Sequence, residues 1–125
     1  MDLEVTGVSG PGRLDVAVRK EGDGVVVALV GELDHGTADM AREALEAEIS
    51  AGHTLLVVDC ADLSFCDSTG LNVLLATRLR LQESGGEIRL AAMRSAVARV
   101  FEITGADTVF TVHPTVDRAL GVAER

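Results

Sequence analysis

The chain has 125 residues, 47% of them hydrophobic, which suits one domain with a single core of ordinary size. Its 20 acids against 11 Lys and Arg leave a formal charge of -9 with no basic run, which argues against a nucleic-acid partner and for a basic patch on another protein. Three Phe and no Trp or Tyr supply no stacking platform for bases or sugars.

Residues 1–12 (MDLEVTGVSGPG) are rich in Gly and carry no sustained period, so they read as a flexible leader outside a domain spanning 13–125. Leu14, Val16 and Val18 alternate with Arg13, Asp15, Ala17 and Arg19, the pattern of a half-buried strand. EGDG then offers a turn into the apolar strand Val25–Val30, which makes an opening hairpin. From Thr37 to Ser50 apolar residues recur at helical spacing, and Gly52 follows as a stop. Thr54–Cys60 is a second apolar strand, Thr69–Ser84 a long helix, and Glu87–Ala92 a third apolar strand. Ser95–Ile103 predicts a shorter helix with Val97, Val100 and Phe101 inward, and Val109–Val112 a short strand. Pro114 suits the first turn of a last helix, with His113 as its cap.

This order predicts an α/β fold: a mostly parallel mixed sheet of about five strands, about four helices and one antiparallel edge. In such sheets, sites gather where loops leave the carboxyl ends of the parallel strands. GELD (Gly31–Asp34) leaves one strand and ADLSFCDSTG (Ala61–Gly70) the next, so neighbouring strands would bring Asp34, Asp62, Asp67 and Ser68 to one rim.

Three readings compete for Ser68. Asp67 or Ser68 can cap the helix that follows, an effect of ~1 kcal/mol. A nucleophilic serine needs a base and an orienting third group, and the G-x-S-x-G elbow is absent because Cys66 stands two residues ahead. His35 is the one histidine near the rim, and all three histidines read as solvated loop residues. DSTG also has one residue too many for the Asp-[Ser/Thr]-Gly of aspartic proteases. As oxygen ligands, Asp34, Asp62 and Asp67 suit Mg²⁺, although they lie on separate loops. The third reading is modification: a helix N-terminus favours a phosphoryl group on Ser68, while nearby carboxylates oppose it. Cys60 and Cys66 match no zinc spacing and read as reduced buried thiols.

The motifs GELDHGTA (Gly31–Ala38) and LSFCDSTGLNVLL (Leu63–Leu75), followed by GGEIRLAAMRSAVARVFEITGAD (Gly85–Asp107), carry a family resemblance. In this order, over about Leu14 to Leu120, the chain resembles STAS domain proteins of the bacterial anti-sigma factor antagonist family. The resemblance implies a regulator without catalysis of its own. Its unphosphorylated form would bind an anti-sigma factor serine kinase and free the sigma factor, and phosphorylation would end binding until a serine phosphatase resets it. Ser68 maps to the acceptor, supported by Asp34, Asp67, Thr69 and Gly70, with Asp34 placed to orient the hydroxyl. Glu32, Asp34, His35, Asp62, Ser68, Thr69 and Asn72 are expected to face the partner. Thr69 is a second hydroxyl beside the acceptor, and Cys66 stands where a plain apolar residue is commoner.

No cofactor or metal is expected, since ATP would belong to the kinase. A standing STAS scaffold subunit of a larger signalling assembly is the alternative. Nothing at the N-terminus has the form of a signal peptide, and no apolar run reaches the ~18 residues that span a bilayer. The expected setting is therefore the cytoplasm, with no membrane partner.

Overall fold

The computed structural model describes residues 4–5 and 14–121. Seven strands and four α-helices follow one another as β1 (Glu4–Val5), β2 (Leu14–Glu21), β3 (Gly24–Leu33), α1 (Ala38–Ser50), β4 (Leu55–Asp59), β5 (Leu63–Cys66), α2 (Ser68–Glu83), β6 (Glu87–Ala91), α3 (Ser95–Thr104), β7 (Thr111–His113) and α4 (Val116–Leu120). The sheet order is β1-β2-β3-β4-β6-β7, with β5 also paired to β3. Only β1-β2 and β2-β3 are antiparallel; every later pairing is parallel. Among the described residues no helix is long and apolar enough to cross a membrane.

The opening hairpin forms as the alternation predicts, with Glu21 opposite Gly24 across the turn. Two strands were not anticipated. β1 lies inside the expected leader, the rest of which falls outside the described residues, and Glu4 and Val5 pair with Val18 and Ala17 of β2. β5 lies in what reads as a loop; a four-residue stretch is too short to show a period, and its pairing with distant β3 is what makes it a strand.

β3 is the axis of the sheet. Its first half, Val25–Ala28, pairs with β4, and its last residues, Gly31–Leu33, pair with β5. The chain therefore runs beside β3 twice in succession, stepping aside only at Cys60–Asp62. Alternation along β3 sends Val25, Val27, Leu29 and Leu33 to the face covered by α1, α2 and α3, where the main core lies. Leu45, Leu74, Leu81, Val97 and Phe101 join them, all at most 1% exposed. The opposite face carries Val26, Val57 and Ala91, covered by Ala119, Val116 and Leu120 on and beside α4. α4, five residues long, packs on β4, β6 and β7, and among the described residues no other helix covers that face.

The C-terminal segment departs from expectation. A 3-10 turn takes up Ala106–Thr108, so β7 begins at Thr111 and ends at His113. His113 is thus a strand residue pairing with Ala91, not a helix cap. Thr115 caps α4 instead, accepting from the Arg118 amide at 3.0 Å, and Pro114 precedes the helix. Leu79, one of the apolar residues of the long helix, is 59% exposed because its position falls between the buried Thr77 and Leu81.

Both cysteines are buried and free, as their apolar setting suggests. Burial pushes the Cys60 thiol up from near 9 to about 12, with Asp59 and Cys66 adding to it. Cys66 rises to about 12 in the same way, through burial and then Asp67. A thiol held neutral in the folded state but able to ionise once unfolded makes stability fall as pH rises past 9 towards 12. Denaturant titrations between pH 8 and 11 are expected to show that loss, and Ellman's reagent at pH 8 to label native protein far more slowly than unfolded protein. Leu45→Ala, at a fully buried α1 position, is expected to cost about 2 to 5 kcal/mol in the same titration.

Candidate functional site

The site is assembled where β3 and β5 end side by side. Leu33 pairs with Cys66, and the Asp67 amide donates to the Leu33 carbonyl at 3.1 Å. One residue beyond that bond on each strand, the chain turns away into α1 or α2. Asp34 thereby comes to the same rim as Asp67 and Ser68, although its loop is far away in sequence.

Asp67 is the N-cap of α2. Its Oδ1 accepts from the Gly70 amide at 2.9 Å, and its carbonyl accepts from the Leu71 amide at 2.9 Å. Ser68 is then the first helical residue, exposed, and its Oγ makes no hydrogen bond to any described residue. Thr69 is also exposed, and Asn72 is exposed one turn on. The remaining first-turn amides of α2 are those a helix leaves without an internal acceptor, so positive potential collects beside the Ser68 hydroxyl.

Gly70 has a steric role. A Cβ there would lie 2.6 Å from Leu33 Cγ and 2.7 Å from the Leu33 carbonyl oxygen, and a backbone oxygen has no rotamer with which to withdraw. The glycine lets the first turn of α2 press against the end of β3. The motif is therefore a strand end, a cap, two outward hydroxyls and a contact glycine, in that order.

The GELD loop is tied down separately. The Asp34 Oδ1 accepts from the Gly36 amide at 2.8 Å and the Thr37 amide at 3.1 Å. Thr37, only 3% exposed, accepts from the Asp34 amide at 2.9 Å and donates its hydroxyl to the Glu32 carbonyl at 2.9 Å. Asp34 is thus held by its own loop rather than by Ser68, with its bonds all on Oδ1. Helical spacing places Thr37 at the start of a helix; its hydroxyl in fact locks the loop, and α1 itself begins at Ala38. A threonine closing GELDHGT was visible in the sequence, but nothing local tells a lock from a cap.

Of the other residues expected at the rim, Glu32 is half-buried and pairs with Phe65, while His35 and Asp62 are exposed. The Asp62 carbonyl accepts from the Gly31 amide at 3.0 Å, and its carboxylate reaches the Arg94 guanidinium at 3.9 Å. Arg94 also donates to the Ala61 carbonyl at 2.9 Å, bracing the step between β4 and β5 from the start of α3. Among the described residues no three His, Cys, Asp or Glu side chains converge on a point that could hold a metal. The Mg²⁺ arrangement of Asp34, Asp62 and Asp67 is therefore not formed: Asp34 and Asp67 meet where β3 and β5 end, but Asp62 lies before β5, beside Gly31 and Arg94, so it does not share the rim expected for it.

Removing the cap by Asp67→Ala is expected to cost ~1 kcal/mol in a denaturant titration, with the fold retained. Gly70→Ala is expected to cost more, about 1 to 3 kcal/mol from overpacking, and to shift the amide resonances of Leu33 and Ser68 together.

Comparison with known proteins agrees with this geometry. The family model described as "STAS domain" matches residues 15–119. The Anti-sigma F factor antagonist of Paenibacillus polymyxa is 32% identical over 94 residues, covering 74% of this chain and 78% of that protein. The crystal structure of an anti-sigma factor antagonist from Mycobacterium paratuberculosis has a TM-score of 0.83 at 31% identity, covering 91% of this chain and 97% of that one. The anti-sigma factor antagonist SpoIIAA in its unphosphorylated form has a TM-score of 0.72 at 26% identity, covering 87% and 99%. With its sheet order, its capped DSTG turn and a family match over nearly all of the described domain, the chain belongs to the STAS domain family.

Proposed function

We propose that this protein is an anti-sigma factor antagonist switched at Ser68: unphosphorylated, it binds an anti-sigma factor that is also a serine kinase and so frees a sigma factor. Phosphorylation of Ser68 by that kinase ends the interaction, and a serine phosphatase restores it. The family membership and the names of the relatives support antagonism. The observation that carries the switch is the exposed Ser68 hydroxyl, bonded to no described residue, at the first position of a helix capped by its neighbour.

The physical case rests on unequal costs. A phosphoserine brings about 1.5 to 2 negative charges to a helix N-terminus, which favours them by roughly 0.3 to 2 kcal/mol. The rim acids oppose it. At an effective dielectric of ~20, a unit charge about 5 Å away costs roughly 3 kcal/mol, but in water under 1. In the free protein, solvent keeps repulsion small and the fold survives. Under a partner that excludes water the larger figure applies, and ~3 kcal/mol is about a hundredfold in affinity.

Asp34 contributes chiefly by shaping the rim. Its carboxylate is engaged with the Gly36 and Thr37 amides, which holds a negative charge at a set place beside the acceptor. In this reading the protein supplies the substrate hydroxyl, and the kinase supplies ATP and the catalytic groups. The protein acts by binding, not by catalysis.

Incubation with ATP and a kinase-type anti-sigma factor from the same source is expected to add one phosphate, which peptide mapping places on Ser68. Ser68→Ala is expected to bind without being switched, and Ser68→Asp to bind about a hundredfold more weakly in calorimetry while melting close to wild type. A phosphate mapped to Thr69, with Ser68→Ala still fully switchable, would take the switch away from Ser68, and wild-type affinity in Ser68→Asp would favour a scaffold that does not switch.

A further inference from the structure

β5 contains a device that the switch itself does not use. Gly31 of β3 faces Leu63 and Glu32 faces Phe65, so Ser64 is one extra residue in the shorter strand. The Ser64 hydroxyl donates to the Gly31 carbonyl at 2.9 Å, and Gly31 itself sits at a φ of 119°, where a side chain is strained.

The extra residue changes the phase of the strand. Leu63 is fully buried in the main core, and plain alternation would send Phe65 in after it. With Ser64 inserted, Cys66 goes into the core opposite Leu33 and Phe65 turns to the other face, beside Glu32. Phe65 is 47% exposed, whereas the other two phenylalanines, Phe101 and Phe110, are buried. α4 packs on β4, β6 and β7, away from β5, and Val30, on the same face as Glu32, is 38% exposed.

We propose that Phe65, turned outward by this bulge, is the apolar anchor by which the antagonist holds its anti-sigma factor. This inference rests on the function proposed above and names the part of the surface that supplies affinity, as distinct from the part that is switched. The surroundings specify the occupant. Phe65 and Val30 are exposed apolar side chains on the face that carries Glu32, and Glu32, Asp34 and Asp67 bring negative charge to the adjoining strand ends of an acidic chain. The fitting partner presents a hydrophobic pocket edged by Lys or Arg. An aromatic ring entering such a pocket is where interface energy concentrates, while acids at the rim guide approach and register. Phe65 lies near the end of β5, three residues before Ser68, so a partner that extends from the ring around the strand ends would reach the hydroxyl as well, and water excluded there would make an added phosphate costly.

The test measures binding of wild type, Phe65→Ala, Phe65→Leu and Ile103→Ala to the kinase-type anti-sigma factor by calorimetry, with circular dichroism and sedimentation on each protein alone. The expected result is at least tenfold weaker binding for Phe65→Ala, partial recovery for Phe65→Leu, and no change for Ile103→Ala, which removes a side chain 77% exposed elsewhere. Melting temperatures close to wild type would show that the loss belongs to the surface. Wild-type affinity in Phe65→Ala, together with weak binding by Ser68→Asp, overturns the anchor and leaves the proposed function standing. A wild-type dimer that Phe65→Ala converts to monomer, with partner affinity unchanged, also overturns it and makes the patch a contact between copies. Failure of the wild-type chain to bind any such anti-sigma factor overturns both readings.

Discussion

The structure turns on one backbone hydrogen bond, from the Asp67 amide to the Leu33 carbonyl at 3.1 Å. It is the last rung of the β3-β5 pairing, and its acceptor oxygen is also the atom that Gly70 approaches too closely to tolerate a side chain. Strand pairing, helix start and contact glycine therefore meet at a single carbonyl. Their meeting directs the first turn of α2, places Asp67 to cap it, and leaves Ser68 outside.

This economy explains how a surface can be altered without endangering its owner. The residues that hold the turn use groups other than the Ser68 hydroxyl: the Asp67 carboxylate, two backbone amides, and a carbonyl packed under Gly70. Ser68 adds no bond within the described fold, so changing its side chain removes none. The GELD loop follows the same logic, with Thr37 and the backbone holding Asp34 in place independently of the turn opposite. Two separately fixed loops form one rim because β3 is long enough to be flanked first by β4 and then by β5.

The two faces of the sheet divide the work. α1, α2 and α3 bury the aliphatic core on one side, and their burial accounts for most of what holds the domain together. The short α4 covers only part of the other side, and the Ser64 bulge turns an exposed aromatic side chain onto that face, away from α4. Interior thiols, a buried threonine and a close-packed glycine keep the site's foundation rigid while its outer atoms stay accessible.

Periodicity alone was enough to read the hairpin, the helix positions to within a residue or two and the mostly parallel sheet, because alternation and 3.6-residue spacing are recorded in neighbouring residues. The capped turn at Asp67-Ser68 and the nearness of the GELD loop were legible for the same reason, given the order of elements. β5, the reach of β3 to Leu33, the strand role of His113 and the lock at Thr37 were not, since each depends on a partner distant in the chain or on which of two equal local bonds wins. The amino-acid sequence by itself thus determined which elements form and which hydroxyl stands at a helix start. Tertiary structure alone decided that Gly70 must touch the Leu33 carbonyl and that Phe65 faces outward, because register and close approach are properties of paired strands and belong to neither strand alone.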